Sequence, residues 1–462
     1  MAAVRTITRP VDLVQLIDRS EIGRFHFRLL ALCAAVVFMD GFDAQAIGYI
    51  APSLSQAWQL KPGGLGPVFG AGLFGIMVGA LLGGPIADYM GRKRIIIFAA
   101  LFFGICSLVT AFATDVQQLM IIRFITGVGL GAAMPNAIAL VAEYSPKRHH
   151  AIMVMVMFCG FSLGAALGGV VAGFLVPLFG WTSVFIFGGV VPLALVPLLA
   201  VALPESVRFL LLSNPSDPSI AATVTRLGAT PSDSRGPFTI SEEQHEAFTV
   251  VQLFTHRRAL ATVLLWIVFF MSLLNLYFLS NWLPTVIHDM GISISTAAFT
   301  SSLFQVGGTI APFLLGWLID RYGFYKVLAV TYLLAAVVIG SIGSVGPNLA
   351  LLMLTIFAAG FCVVGAQSGS NALAASLYPT SIRATGVGWA LGIGRIGSII
   401  GPVVGGIMLA QHWDRSLLFL SGAVPALCAM TAILAMWVSE PRARAQQADL
   451  PELQPEPMRK AG

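Results

Sequence analysis

Gly84-Pro85-Ile86-Ala87-Asp88-Tyr89-Met90-Gly91-Arg92-Lys93-Arg94 follows one long apolar run. Gly316-Trp317-Leu318-Ile319-Asp320-Arg321-Tyr322-Gly323-Phe324-Tyr325-Lys326 follows another, at an offset close to half the chain. Both stretches read glycine, aspartate, glycine, cation in the same frame. A second pair, Tyr144-Ser145-Pro146-Lys147-Arg148 and Tyr378-Pro379-Thr380-Ser381-Ile382-Arg383, recurs at nearly the same offset. The chain is built from two copies of one unit.

What surrounds these stretches decides the solvent. The 462 residues are 57% apolar and only 10% charged, with a mean hydropathy of +0.86. A soluble globular chain carries about 25% charged residues, so this one is built for lipid. A membrane span needs about 20 predominantly apolar residues. Segments near 27–51, 64–87, 95–113, 118–141, 151–175 and 182–203 meet that rule. So do 259–282, 295–318, 326–346, 349–373, 385–410 and 416–438. The expected fold is an all-α membrane protein with twelve transmembrane helices in two pseudo-symmetric six-helix bundles, 27–203 and 259–438. Repeated halves of this kind are a secondary-transporter architecture, with the site near the midplane between them.

Lysine and arginine set the orientation. One side of the membrane holds the N-terminal segment (residues 1–26), Arg92 to Arg94, Lys147, Arg148, the central linker (204–258), Arg321, Lys326, Arg383 and the tail (439–462). The other holds Lys61 and Arg415. The positive-inside rule makes the first side, with both termini, cytoplasmic. The net charge of +5 is thereby a matter of topology, and no nucleic-acid-reading motif is present. The linker mixes charge with proline and has room for short surface helices. The tail, rich in Pro, Ala, Gln and charge, is expected to be disordered. The N-terminal segment is too long and too mixed in charge for a signal peptide, so the first span is expected to be retained. The five cysteines lie in apolar segments without CxxC or Cys/His spacing, which argues against a disulfide framework or a metal site.

Charges inside spans are the candidates for function, because each costs about 2.5–3.5 kcal/mol or more at membrane depth. Asp40 and Asp43, in Asp40-Gly41-Phe42-Asp43, lie within the first span one helical turn apart. Arg123 in the fourth span lies at a similar depth. The span-one carboxylates are its natural partners, backbone carbonyls the alternative. Arg395 is the basic residue within the C-terminal spans. Its planar guanidinium suits a carboxylate in bidentate geometry, or it serves as a hydrogen-bond hub for the eleventh span. Glu143 at the end of span four is either a gate residue or a solvated helix end.

Gly84–Arg94 resembles the signature loop of the major facilitator superfamily, and Gly316–Lys326 is a weaker copy of it. Within that superfamily, Asp40–Asp43 and the run Tyr378–Gly397 resemble the aromatic acid:proton symporter family. The resemblance covers residues 27 to 438. It implies import of a small benzoate- or hydroxybenzoate-type carboxylate with protons, by alternating access at the cell (cytoplasmic or inner) membrane. It implies proton coupling at Asp40, Asp43 and Arg123, and a gating latch at Gly84, Asp88, Gly91, Arg92, Asp320 and Glu143. The alternative for the loop cations is that they set topology and meet anionic lipid. Span five has Ala165 where the superfamily pattern has proline, which puts a hinge role for that span in doubt.

The substrate contacts expected are Arg395, Arg123, Phe42, Asn275, Gln305 and Trp389. Further aromatics for a ring slot are Phe38, Trp266, Phe270, Tyr277 and Phe304. Gln45, Asn136, Gln367 and Asn371 are further partners for hydroxyls. Glycines at four-residue spacing, Gly75/Gly79/Gly83 and Gly160/Gly164/Gly168, are read as helix packing within one bundle, and a monomer is expected. No cofactor is expected, since the proton gradient supplies the energy and the P-loop pattern is absent. A proton-driven exporter, or a carrier of another organic acid, would share the fold and most motifs. An enzyme would need a metal or nucleophile cluster that the sequence lacks.

Overall fold

The computed structural model describes residues 11–146, 148–215, 217–227, 238–239, 250–255, 258–346, 348–378 and 382–448. A short strand β1 (Val11–Asp12) and helix α1 (Leu13–Arg19) precede six long helices: α2 (Arg24–Ala57), α3 (Gly66–Met90), α4 (Arg92–Thr110), α5 (Val116–Tyr144), α6 (His150–Phe179) and α7 (Thr182–Ala202). The linker contributes α8 (Val207–Ser213), α9 (Pro218–Arg226) and strand β2 (Phe238–Thr239). Six more long helices follow: α10 (Ala259–His288), α11 (Ile294–Tyr322), α12 (Phe324–Ile342), α13 (Leu349–Leu377), α14 (Arg383–Ala410) and α15 (Arg415–Ala448). Among the described residues, these two sets of six are the helices long and apolar enough to cross a membrane, twelve in all.

The repeat has a backbone cause. Gly91 ends α3 at φ +93° and Gly323 ends α11 at φ +85°, a region that favours glycine. Each glycine lets one helix stop and the next begin without an intervening loop. Other helices start on side-chain caps. Asp115 accepts from Gln118 N–H at 2.8 Å, and Asn348 accepts from Leu351 N–H at 3.2 Å.

Within the N-terminal half, α3 crosses α5 on bare backbone. A Cβ at Gly75 would overlap the carbonyl of Phe124, and one at Gly127 the carbonyl of Gly72. Close approach of this kind drives helix association where lipid removes the hydrophobic incentive. The α2–α6 contact is made the same way, with Gly41 against Phe161 and Gly164 against Phe38.

The N-terminal segment and the linker dock on the first half. β1 pairs with β2 in parallel, Val11 opposite Phe238. Leu13 and Ile17 of α1 share a core with Leu211 of α8 and with Ile220 and Val224 of α9. Arg148 donates to the carbonyl of Ser20 at 3.0 Å. Hydropathy alone does not show this layer. The tail also departs from expectation: α15 continues past Val438 to Ala448. Ala443, Ala445 and Ala448, with Gln446 and Gln447, are good helix formers and extend a helix already nucleated. Residues 449–462 lie outside the described residues, as do Lys147 and Pro379–Ser381 of the second repeated motif.

Candidate functional site

The halves touch at one end and part at the other. At the end bearing Lys61 and Arg415, a Cβ on Gly48 of α2 would sit 3.0 Å from the carbonyl of Ser280 of α10. Gly66 of α3 faces Gly406 and Pro402 of α14 in the same way, and Phe69 packs edge-on against Trp282 at 5.0 Å. Ser295 of α11 donates to the carbonyl of Gly173 of α6 at 2.6 Å. Gln56 and His288, at the ends of α2 and α10, meet at 2.7 Å. One apolar core at this end draws on both halves, through Ile47, Ile50, Phe69, Trp282, Leu283 and Phe304.

α14 shows where contact stops. Gly388, Gly392, Arg395, Ile399, Val403 and Gly406 follow one another at three- or four-residue steps and so share a face. Gly70 meets Val403 and, more loosely, Ile399. Further along that face, beyond Arg395, a Cβ at Gly392 or Gly388 would meet nothing within 4 Å among the described residues. Gly84 and Gly316 are equally free. A cleft therefore opens between the halves toward the basic loops, with Arg395 at its head.

Asp40 and Asp43 share a helix turn but not a partner. Asp43 is 1% exposed and is held inside the first half. Arg123 Nη2 lies 2.9 Å from its Oδ2, Nη1 donates to Oδ1 at 3.2 Å, and Nη2 donates to the Asp43 carbonyl at 3.2 Å. Ser107 donates to Oδ1 at 3.4 Å, and the guanidinium lies 5.6 Å from the Phe185 ring centre. A buried ion pair persists only with such added bonds. Asp40 is also buried, but among the described residues its carboxylate has no ion pair. It lies in the field of Arg395 as well as that of Asp43. Arg395 is half-buried, and its Nη1 donates to the hydroxyl of Tyr277 at 3.4 Å. The cleft head thus holds a carboxylate and a guanidinium in electrostatic reach of each other, not joined.

The neutral candidates scatter. Phe42, expected in a ring slot, turns into the first half and packs on Phe187 at 5.4 Å and beside Gly188. It lies two residues from Asp40, and two residues turn a helix most of the way to its opposite side. Trp389 stacks on Trp266 at 5.9 Å, which in turn contacts Phe254 of the linker. That puts it at the loop end of α14, away from Arg395. Asn275 is buried with its Oδ1 unpartnered among the described residues, and Gln305 donates to Ser280 at 3.3 Å. A groove of about 700 Å³ lies between α2, α6 and α7, lined by Ala, Val, Leu, Phe38, Met39 and Cys159. It has no charged group to orient a carboxylate and is not the site.

At the basic end the signature loop is organised by two carboxylates. Arg92 pairs with Glu143, which also accepts from Ser206 Oγ at 2.8 Å and from the backbone N–H of Arg208 at 2.8 Å. Glu205 accepts from the backbone N–H groups of Lys93 and Ser206, each at 2.9 Å. Glu143 is therefore a hub and not a solvated helix end. Asp88 and Asp320 are exposed, with no ion pair among the described residues. The sequence offers Tyr277 only as one of several aromatics for a ring slot, and Glu205 only as a boundary carboxylate like Glu143 but more exposed; in the structure Tyr277 accepts from Arg395 and Glu205 holds the backbone of the signature loop. Their one signal is a polar group near a helix end or a span arginine, and many residues share it.

The Major Facilitator Superfamily model matches residues 33–293 and 265–460. The gallate transporter of Pseudomonas putida is 43% identical, over 93% of this chain and 96% of its own length. The 4-hydroxybenzoate transporter PcaK of Pseudomonas putida is 42% identical, over 94% and 97%. The benzoate transport protein of Acinetobacter baylyi is 33% identical, over 92% and 93%. Among solved structures, the xylose transporter XylE from E. coli in a partially occluded inward-open conformation aligns with TM-score 0.70 at 17% identity. It covers 90% of this chain and 99% of that one, a likeness of fold alone. Twelve membrane-crossing helices in two repeated halves, a charged site at the head of the cleft between them and this set of relatives lead to one assignment: the chain is a multi-pass membrane transporter of the Major Facilitator Superfamily.

Proposed function

We propose that this carrier imports a small aromatic carboxylate, of the benzoate or hydroxybenzoate type, together with protons. The observation that carries the reading is the unjoined Asp40 and Arg395 at the head of the cleft. Among the described residues the Arg395 guanidinium has one weak hydrogen bond, to Tyr277, and keeps donors for a carboxylate. Arg123 is committed to Asp43 by three close contacts, so Arg395 is the better anion holder. A substrate carboxylate at Arg395 stands beside Asp40, and two anions there favour a proton on Asp40. That mutual dependence is the coupling. Asp43 and Arg123 keep the turn of α2 in place and take part in the proton's passage.

The cleft opens on the side of the basic loops, which is the cytoplasmic side by the positive-inside rule, so this is the inward-facing conformation in the cytoplasmic membrane. Transport then requires the contacts at Gly48, Gly66 and Gly406 to part and the loop at Gly84–Arg94 to close, with Asp88 and Asp320 acquiring partners. The aromatic class is supported by the relatives that carry gallate, 4-hydroxybenzoate and benzoate.

The test is uptake of labelled 4-hydroxybenzoate, benzoate and gallate by cells making the protein, with and without a protonophore. At least one acid is expected to accumulate, and accumulation to collapse with the gradient. Accumulation indifferent to the protonophore would overturn proton coupling. Absence of uptake of all three by protein present in the membrane would overturn the substrate class.

A further inference from the structure

Gln45 lies in α2 two residues beyond Asp43 and is only 1% exposed. Among the described residues, neither its Oε1 nor its Nε2 has a hydrogen-bond partner. A buried amide with both ends unpaired is costly and rare in native proteins, so Gln45 is built to be paired in another state. Its neighbourhood indicates with what. Tyr49, one turn on and on the same side of α2, donates to the carbonyl of Ala165 of α6 at 2.9 Å. A Cβ on Gly169 of α6 would lie 3.0 Å from the Tyr49 ring and 2.7 Å from Cβ of Ser302 of α11. Helices α2, α6 and α11 therefore meet at the level of Tyr49 and Ser302.

α2 runs toward the closed end and α11 runs away from it. One turn toward the cleft from that meeting point therefore reaches Gln45 on α2 and the level of Gln305 on α11. Gln305 donates to Ser280 of α10, and the hydroxyls of Thr300 and Ser301 on α11 are buried and have no partner among the described residues. Ser301 is one turn from Gln305. Unspent hydrogen-bonding capacity thus faces one seam between the halves from both sides, with Gln45 on α2 and Thr300 and Ser301 on α11. From Asp40 to Gln45 the helix rises about 7.5 Å and turns about 140°, so Gln45 lies deeper than Asp40 and round α2 from it, on the side of α6 and α11.

We infer that Gln45, with Gln305 and Ser301 across the seam, forms the subsite that reads a ring hydroxyl of the substrate. The inference rests on the aromatic-acid reading above. With the carboxylate at Arg395, the ring points into the seam between α2 and α11. These helices belong to opposite halves, so the rocking that exchanges access also opens and recloses the seam around the hydroxyl. The subsite selects hydroxylated acids over unsubstituted ones. A site built to hydrogen-bond a hydroxyl leaves its own buried groups unpaired when the hydroxyl is missing.

The experiment uses the full chain in proteoliposomes and compares KM for 4-hydroxybenzoate and benzoate. Wild type is expected to favour the hydroxylated acid. Gln45→Met, close in volume and without hydrogen-bonding groups, raises KM for 4-hydroxybenzoate about tenfold or more and leaves benzoate within about twofold. Gln305→Leu shifts the ratio in the same direction. If Gln45→Met does not assemble, Gln45→Asn, which keeps the amide but shortens its reach, supplies the same comparison. An unchanged ratio in every assembled variant, or equal changes in Vmax for both acids, overturns the inference in favour of a role in helix packing or rocking. A wild type that carries benzoate and not the hydroxylated acid also overturns it, while sparing the proposed function. A wild type that carries neither overturns both.

Discussion

Asp43 and Asp40 occupy neighbouring positions on one helix, and packing divides their labour. The Asp43–Arg123 pair is sealed within one half, so removing a single partner strands a buried charge, at about 3–5 kcal/mol. Asp43→Ala and Arg123→Ala are each expected to lower the melting temperature in detergent. The double variant is expected to regain most of that loss and to remain inactive in transport. A double-mutant cycle with no coupling would refute the structural part of this assignment. Both residues stood out in the sequence because charges within spans are so few. Which of two adjacent carboxylates faces arginine, and which faces the cleft, depends on a helix rotation that the sequence does not encode locally. Phe42 illustrates the same limit. As an aromatic within a span it is a candidate for the ring slot, and it packs on Phe187 within the first half.

At the scale of elements, the spans were legible because hydropathy and length are sufficient criteria, and the glycine stripes were legible as packing faces. Their tolerances differ sharply in the structure. A side chain at Gly127 meets the backbone of α3, whereas one at Gly392 meets nothing within 4 Å. Gly127→Leu should therefore abolish the yield of folded protein, as judged by gel filtration in detergent. Gly392→Ala should leave that yield unchanged. The docked layer of α1, α8, α9 and the β1–β2 pair was not legible, because its elements are short and its contacts span large separations in sequence. Glu143 ties that layer to the signature loop through Arg92, Ser206 and Arg208. Glu143→Gln is expected to weaken those charge-assisted bonds and to speed proteolytic cleavage within the linker. Equal cleavage rates would show that the linker is held by its apolar contacts alone.

For the whole molecule, the repeat announced two halves, and the relatives place them in one superfamily. The direction in which they part could not be read from the chain, since both conformations use the same helices. Contacts between halves gather at the end of Gln56 and His288. Cysteines introduced at these two positions, in a background lacking the five native ones, should cross-link on oxidation. Transport should then stop and return on reduction. Continued transport by the cross-linked protein would mean that this end need not open.

The central claim is that Asp40 carries the coupled proton beside a carboxylate held at Arg395. It is tested most directly by comparing wild type and Asp40→Asn in proteoliposomes, for accumulation of labelled 4-hydroxybenzoate under an acid-outside gradient and for exchange of labelled against unlabelled acid without one. The account predicts that Asp40→Asn retains exchange and loses accumulation above equilibrium. Accumulation by Asp40→Asn at the wild-type level would contradict it.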